Sequence, residues 1–579
     1  MAGTSIAEKN EGKEHKKNWS IMVFLAGGKD ISEEARESML RMKQVGSTDN
    51  IHVVAQFDSG GEGTSTKRYY LSPFDDALWI ETLLTQASAE VSATGSSAAG
   101  KYYCQLLREA LLPKDLSGDL RARLGAKLQL ETMIELLKYS TGQFKRLVLN
   151  CVLDRDICPG SEGSLGNTNA GDPKVLVEFV RWAKNKYYAD HHMVIFWGHG
   201  NGLSVAWDYP ASPFLDPKEG LALSGVSEEL KKMRGNGYKV DIAGFNSCSL
   251  GTIEVYHQLK GLVRYGIASE GFTPKTSWPY DKILKALDEE LKKQKKQKPK
   301  DQAADVDPKD FASIIVDKYI SYYKASVKTA EEIQKMERRM KSLGASLDMN
   351  NRWGPYNAGP DLIKVGPDLI KAGPDLIKVG PDLIKTGPDL GPQGQTRRGG
   401  IDLSVCELNK SIQVAQRMKI LIRRLSPHLE LLTQGFKKGG NDQKMIAARN
   451  VFGAILGAHA VSQSYFNKDY TDLYDFCRAL LFFCPLKDIR TACVDVMHAI
   501  SAMRTKVGHV GDAVQNSNGV SIFFPWSEWG EDDVIARYEK LTFIDWRTTG
   551  WKKFLKRYRK LAHDFEDKKG PFSEEKAMA

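Results

Sequence analysis

The sequence predicts an α/β fold, a mostly parallel sheet flanked by helices, followed by a mainly helical C-terminal unit. Three observations carry that reading. Short apolar runs recur and break into glycine or a polar residue, as strands buried on both faces of a parallel sheet do. Amphipathic stretches of helical length alternate with them through the first half of the chain. Beyond about residue 288 the alternation stops and the composition changes.

The first such run is Ile21 to Ala26, closed by Gly27 and Gly28. A helix follows from Ser32, a good N-cap with Glu33 and Glu34 in its first turn, to about Val45. Ile51 to Phe57 reads as a second strand and Lys67 to Leu71 as a shorter one. Leu120 to Tyr139 has helical period, Arg146 to Asp154 reads as a strand, and Pro159 to Asp172 as a loop. The helix from Val175 to Lys186 leads into a strand from His192 that breaks at Gly198-His199-Gly200. A helix over Val226 to Met233 precedes the strand Val240 to Phe245, which breaks into Asn246-Ser247-Cys248-Ser249-Leu250-Gly251. Tyr265 to Ser269 is one more strand.

The chain has 579 residues, 42% hydrophobic and 27% charged, with a net charge of +10. That balance excludes collagen-like and wholly disordered chains, and the basic excess is local, so solvated faces explain it better than a nucleic-acid surface. Eight cysteines are too few for a disulfide scaffold, and none forms a C-x-x-C pair, so no structural zinc or other metal is expected. The first apolar run has the length of a strand, not of a signal peptide or a span. The expectation is a soluble, reduced, cytoplasmic protein with no membrane and no nucleic-acid partner.

Four regions follow: a polar tail at 1–18, a core at 19–290, a tether at 291–400 and the C-terminal unit at 401–579. The tether opens with the charged run Lys292 to Lys300, then repeats Gly-Pro-Asp-Leu-Ile-Lys from Gly359 to Leu390. A proline in every copy forbids a coiled coil, and so short a repeat buries nothing. In the C-terminal unit, Val405 to Leu425, Met445 to Val461 and Tyr470 to Phe483 read as helices, Gly519 to Phe524 as a strand, and Trp551 to Leu561 as a basic amphipathic helix.

Two strand ends carry chemistry: His199 in Trp-Gly-His-Gly and Cys248 in Asn-Ser-Cys-Ser-Leu-Gly. Sites in open parallel sheets form at the carboxyl ends of strands. A thiol there is expected near the N-terminus of the next helix, whose dipole favours thiolate, with the histidine exchanging the proton during acyl transfer. The glycine after the histidine, Gly200, is a candidate N–H donor to an oxyanion.

These segments resemble the clostripain family of cysteine peptidases: Tyr187 to Gly202 its histidine motif, Asp241 to Gly251 its cysteine motif. Asn169 to Pro173, Ala268 to Glu270 with Trp278 to Asp281, and Gly519 to Pro525 match in order. The resemblance implies a caspase-like fold, a dyad of His199 and Cys248, and cysteine endopeptidase activity on a protein or peptide substrate. It also suggests cleavage after Arg or Lys and maturation by internal cleavage. Where the family has an acid two before the cysteine, this chain has Asn246, so Glu270, at the end of the next strand, is the candidate to supply the charge of the P1 pocket. Processing candidates are Lys218, in the loop between the two motifs, and Arg397-Arg398 after the repeat. No cofactor is expected; calcium dependence, known for some relatives, stays open because no Asp-rich loop has ligand spacing. An intracellular protease needs control, so the expected role is regulated proteolysis in signalling or defence, with an activating protein partner. The alternative is a non-catalytic binding or scaffold protein on the same fold.

Overall fold

In a computed structural model, described over residues 16–59, 65–74, 153–202, 204–207, 220–235, 239–274, 276–297, 299, 304–342, 400–434, 442–465, 469–525, 538–545 and 547–566, the apolar runs form strands. They are β1 (Lys17–Ala26), β2 (Ile51–Asp58), β3 (Lys67–Tyr70), β4 (Ala189–Trp197), a hairpin of β5 (Ser204–Trp207) and β6 (Gly220–Ala222), β7 (Val240–Asn246) and β8 (Val263–Ala268). The C-terminal half adds β9 (Ile401–Glu407), β10 (Ser464–Tyr465), β11 (Tyr470–Asp472), β12 (Arg504–Val510) and β13 (Ser521–Phe523). Eight strands form one sheet in the order β12-β9-β8-β7-β4-β1-β2-β3. The five from β8 to β2 run parallel, while β3, β9 and β12 pair antiparallel.

The reason for burial on both faces is visible along β1. Ile21, Val23 and Leu25 enter one core, and Met22, Phe24 and Ala26 the other. Alternation of period two with apolar residues at every position leaves neither face for water. The first core is completed by α1 (Gly28–Lys43). The second is covered by α2 (Pro173–Lys186), α3 (Leu223–Gly235) and α4 (Ile253–Leu259). Asp172 caps α2 through its carboxylate, which accepts from the Lys174 N–H at 2.9 Å, and Pro173 sits where no N–H is needed.

Two further helices close the first core: α5 (Tyr280–Gln297) and α6 (Pro308–Ser342). The charged run after residue 291 is therefore not a spacer. Leu284, Leu287 and Leu291 line one face of α5 and keep it helical to Gln297, with Lys292, Lys293 and Lys295 in water. Phe311, Ile315, Val316 and Tyr319 of α6 are core residues. The structure thus packs 304–323 against the sheet, where the sequence placed a tether.

The C-terminal region is mainly helical, with α7 (Ser411–Gln434), α8 (Asp442–Val461), α9 (Leu473–Phe483), α10 (Lys487–Met503) and α11 (Trp551–Glu566). It is not a separate unit. Its β9 and β12 extend the central sheet, and one apolar core runs unbroken from β1 and β4 into α7 to α11. The helix expected from Val405 begins only at Ser411, because Leu403 and Val405 point into one core and Cys406 into the other. The described end of the strand expected over Arg146 to Asp154 is a 3-10 turn, Asp154–Asp156. Lys218, Arg397, Arg398, the repeat and the helix expected at 120–139 lie outside the described residues. Among the described residues no helix is long and apolar enough to cross a membrane.

Candidate active site

The sheet brings the two candidate loops together by register alone. Neighbouring parallel strands β4 and β7 pair Trp197 with Asn246, so His199 and Cys248 each lie two residues past a matched pair, at the carboxyl edge. The Gly198 N–H donates to the Asn246 carbonyl at 3.4 Å. Gly200 lies directly on the cysteine's backbone: a Cβ there would come 2.5 Å from the Cys248 carbonyl oxygen. Only glycine allows the histidine loop so close. Gly200, the oxyanion candidate, is therefore a neighbour of the Cys248 peptide group.

Cys248 is half-buried, whereas the other five free cysteines among the described residues are buried. Its Sγ accepts from the Thr273 N–H at 3.4 Å. The next residue, Ser249, is left-handed at φ 56°, a strained conformation for a side-chain-bearing residue that recurs at functional turns. Burial pushes the thiol above its ordinary value, the Thr273 N–H pulls it down, and the Asp402 charge adds to the rise. The expected dipole assistance is not what the thiol experiences. The following helix, α4, begins only at Ile253, behind the Thr252 cap, and has seven residues. The resting group is therefore a thiol and not the thiolate that a helix dipole would favour.

Asn246 is 4% exposed at the end of β7. Its amide donates to the Ser277 hydroxyl and, at 2.8 Å, to the Tyr280 hydroxyl. Ser277 also accepts from the Trp197 indole N–H at 3.0 Å, and its carbonyl accepts from the Tyr323 hydroxyl at 2.7 Å. The polar groups around the Asn246 amide are thus neutral.

Glu270 does not supply the missing charge. It is 0% exposed, and its Oε2 accepts from the Gly519 N–H at 2.6 Å and the Tyr465 hydroxyl at 3.3 Å. Burial first, then the Asp472 and Asp402 carboxylates, raise it well above the usual carboxylate range. It is a sealed group in contact with the C-terminal region, so the expectation that it lines the P1 pocket is corrected.

That region also grips the other loops. The Tyr470 hydroxyl donates to the Asn201 carbonyl at 2.5 Å, and its ring fills the space a side chain at Gly202 (φ 83°) would need. The Ser521 N–H donates to the Gly251 carbonyl at 2.8 Å. Glu254 on α4 accepts from the Phe523 N–H at 3.1 Å and the Tyr538 hydroxyl at 2.8 Å.

Burial pushes Glu254 up to about 7. A carboxyl raised in the folded state stabilises below its unfolded value and loses that contribution as pH climbs through the folded value. Glu254→Gln keeps an acceptor and removes the ionisation. Its melting temperature relative to the wild type should therefore rise between pH 5 and pH 8, by the equivalent of up to about 3 kcal/mol. Thermal unfolding at both pH values checks this; a pH-independent gap would show that Glu254 is not held neutral.

No group of three or more His, Cys, Asp or Glu among the described residues is placed to hold a metal. Residues 161–347 match the model of the clostripain family. The matched segment contains both loops and the Ser277–Tyr280 pair but ends before β9. Clostripain of Hathewaya histolytica is 28% identical over 102 residues, 16% of this chain and 19% of that protein. The match thus spans about a fifth of the curated relative. Two solved structures are similar along most of the chain. A secreted C11 cysteine protease from Bacteroides thetaiotaomicron, in complex with an irreversible peptide inhibitor, is 13% identical over 92% of this chain and 99% of its own, with a TM-score of 0.47. An inactive zymogen C11 protease from Parabacteroides distasonis is 10% identical over 92% and 98%, with a TM-score of 0.46.

Thr273, Ser277, Tyr470 and Asp402 join the site without having been singled out in the sequence.

Proposed function

We propose that the protein is a cysteine endopeptidase in which Cys248 attacks the scissile carbonyl and His199 transfers the proton. One observation carries the reading: a half-buried thiol on a strained turn, with the histidine loop laid on its backbone. In this reading His199 takes the proton from the Cys248 thiol as Sγ bonds to the carbonyl carbon. It then gives that proton to the departing amine, leaving an acyl-enzyme that water hydrolyses. Gly200 belongs to the peptide wall near the developing oxyanion.

The pocket at Asn246 is proposed to accept a neutral, hydrogen-bonding P1 side chain in place of Arg or Lys. An amide with two neutral partners offers no counter-ion to a buried guanidinium. A weaker basic preference also weakens self-recognition at Lys218 and Arg397-Arg398, so control by a protein partner is the form of regulation proposed. A reducing, cytoplasmic setting belongs to the same proposal and suits the six free thiols among the described residues.

The test is covalent labelling of the full-length protein with a peptidyl acyloxymethyl ketone. Wild type should be modified at Cys248, and Cys248→Ala should not be labelled. Labelling that maps to another cysteine, or persists unchanged in Cys248→Ala, overturns the assignment. The same spectra show whether the chain breaks after Lys218 or Arg397-Arg398 only in the wild type; such breaks would restore self-processing.

A further inference from the structure

The turn after β8 lies between the nucleophile's loop and a buried acid from far along the chain. On one edge it is bonded to the cysteine loop at every second residue. The Gly251 N–H donates to the Ser269 carbonyl and the Ser249 N–H to the Gly271 carbonyl, both at 2.8 Å. The Thr273 hydroxyl donates to the Ser247 carbonyl at 3.0 Å, and the Thr273 N–H reaches Cys248 Sγ. On the opposite edge stands Asp402, in β9 and 0% exposed. Its two carboxylate oxygens accept from the Glu270 N–H at 2.7 Å and the Gly271 N–H at 3.0 Å. Its carbonyl accepts from the Ser269 hydroxyl at 2.7 Å.

We propose that Asp402 is a positioning residue for Cys248, gripping the backbone of residues 269–271 so that the strained cysteine turn keeps its shape. The inference rests on the reading of Cys248 as the nucleophile. A carboxylate suits the place because two N–H groups converge on it; an asparagine has one oxygen, and its NH₂ would face the second donor. The left-handed Ser249 needs such support, since a strained turn persists only where its surroundings over-determine it.

The charge matters as well as the grip. Burial pushes Asp402 up to about 6 and the two N–H donors pull it down, so it is ionised at pH 8. The groups that feel its charge are Glu270 in the turn, Tyr256 on α4, Tyr319 on α6, Tyr465 on β10 and Cys248. Asp472, on β11, faces the same cluster through Glu270. None of these is a cation, so the field of Asp402 on the thiol is not offset among them.

The experiment compares wild type, Asp402→Asn and Thr273→Val as full chains. Peptide turnover gives kcat and KM, and mass spectrometry follows iodoacetamide alkylation of Cys248 against pH. Asp402→Asn should lower kcat at least about tenfold with KM changed less than about threefold, because small misplacements of a reacting group are costly. Its Cys248 alkylation midpoint should move to lower pH, which loss of fold stability alone does not produce. Thr273→Val, cut at the other edge of the same turn, should show the kcat loss without the shifted midpoint. Adding Ser249→Gly to Asp402→Asn should restore part of kcat, since glycine holds φ 56° unaided. An unchanged alkylation midpoint in Asp402→Asn, or unchanged kcat in Thr273→Val, overturns the proposal. Should Asp402→Asn fail to fold, the Thr273→Val result alone decides. Full activity in Cys248→Ala would reject the nucleophile instead, while the alkylation midpoint would still report on Asp402.

Discussion

Cys248→Ala and His199→Ala should each lower kcat/KM for peptide hydrolysis by about a thousandfold or more, and the double variant should be little worse than either. In the proposed mechanism the two side chains act in one proton-coupled step, so removing the first leaves the second nothing to do. The thiol starts protonated, with burial holding its proton on. Without His199, attack at neutral pH relies on the small fraction that ionises unaided. The folding cost is small by comparison. Cys248 is half-buried, and its contacts are the two weak sulfur hydrogen bonds with the Thr273 peptide, at 3.4 and 3.9 Å. Thermal unfolding should therefore place both variants close to the wild type while turnover collapses. Turnover by Cys248→Ala within tenfold of wild type would remove the dyad from the mechanism.

The parallel half of the sheet was legible because its strands are continuous apolar runs, and the histidine and cysteine loops, which the sheet sets side by side, were legible because each ends such a run. The antiparallel edge was not. Strand β12 is a half-exposed edge reading Arg-Thr-Lys-Val-Gly-His-Val, without an apolar period, and β9 alternates Ile401, Leu403 and Val405 with the inward Asp402 and Ser404, so neither is the continuous apolar run that marks the parallel strands. Strands β10 and β11 have two or three residues each, too few for any pattern, whereas β13 falls within the strand expected over Gly519 to Phe524. Glu270 was misplaced for a related reason. Locally, Ser-Glu-Gly after a strand reads as an exposed turn; its cover comes from Tyr465 and Gly519, 195 and 249 positions away. Long-range burial of that kind is a property of the topology, and no window of sequence contains it.

Asn246→Asp should convert the pocket toward basic P1 residues. The ratio of kcat/KM for Arg or Lys over Asn or Gln at P1 should rise at least about tenfold, worth about 1.4 kcal/mol. The hydroxyls of Ser277 and Tyr280, now facing an amide, can rotate to donate to a carboxylate. The new carboxylate would be held in place yet still lack a cation in the empty enzyme. A buried carboxylate without a cation is costly, so the variant should melt below the wild type. Burial raises its folded pKa above the unfolded value, and the stability it contributes as a neutral acid is lost as pH rises through that raised value. The melting gap from wild type should therefore be wider at pH 8 than at pH 5. A guanidinium or ammonium at P1 would supply the missing partner, which is why the gain falls on basic substrates and not on all substrates alike. A fluorogenic library varied only at P1 measures the ratio in both enzymes. An unchanged ratio would show that residue 246 does not face the P1 side chain. A wild type already selective for Arg or Lys would show that a carboxylate from elsewhere reaches the pocket, and the neutral-pocket reading would be wrong.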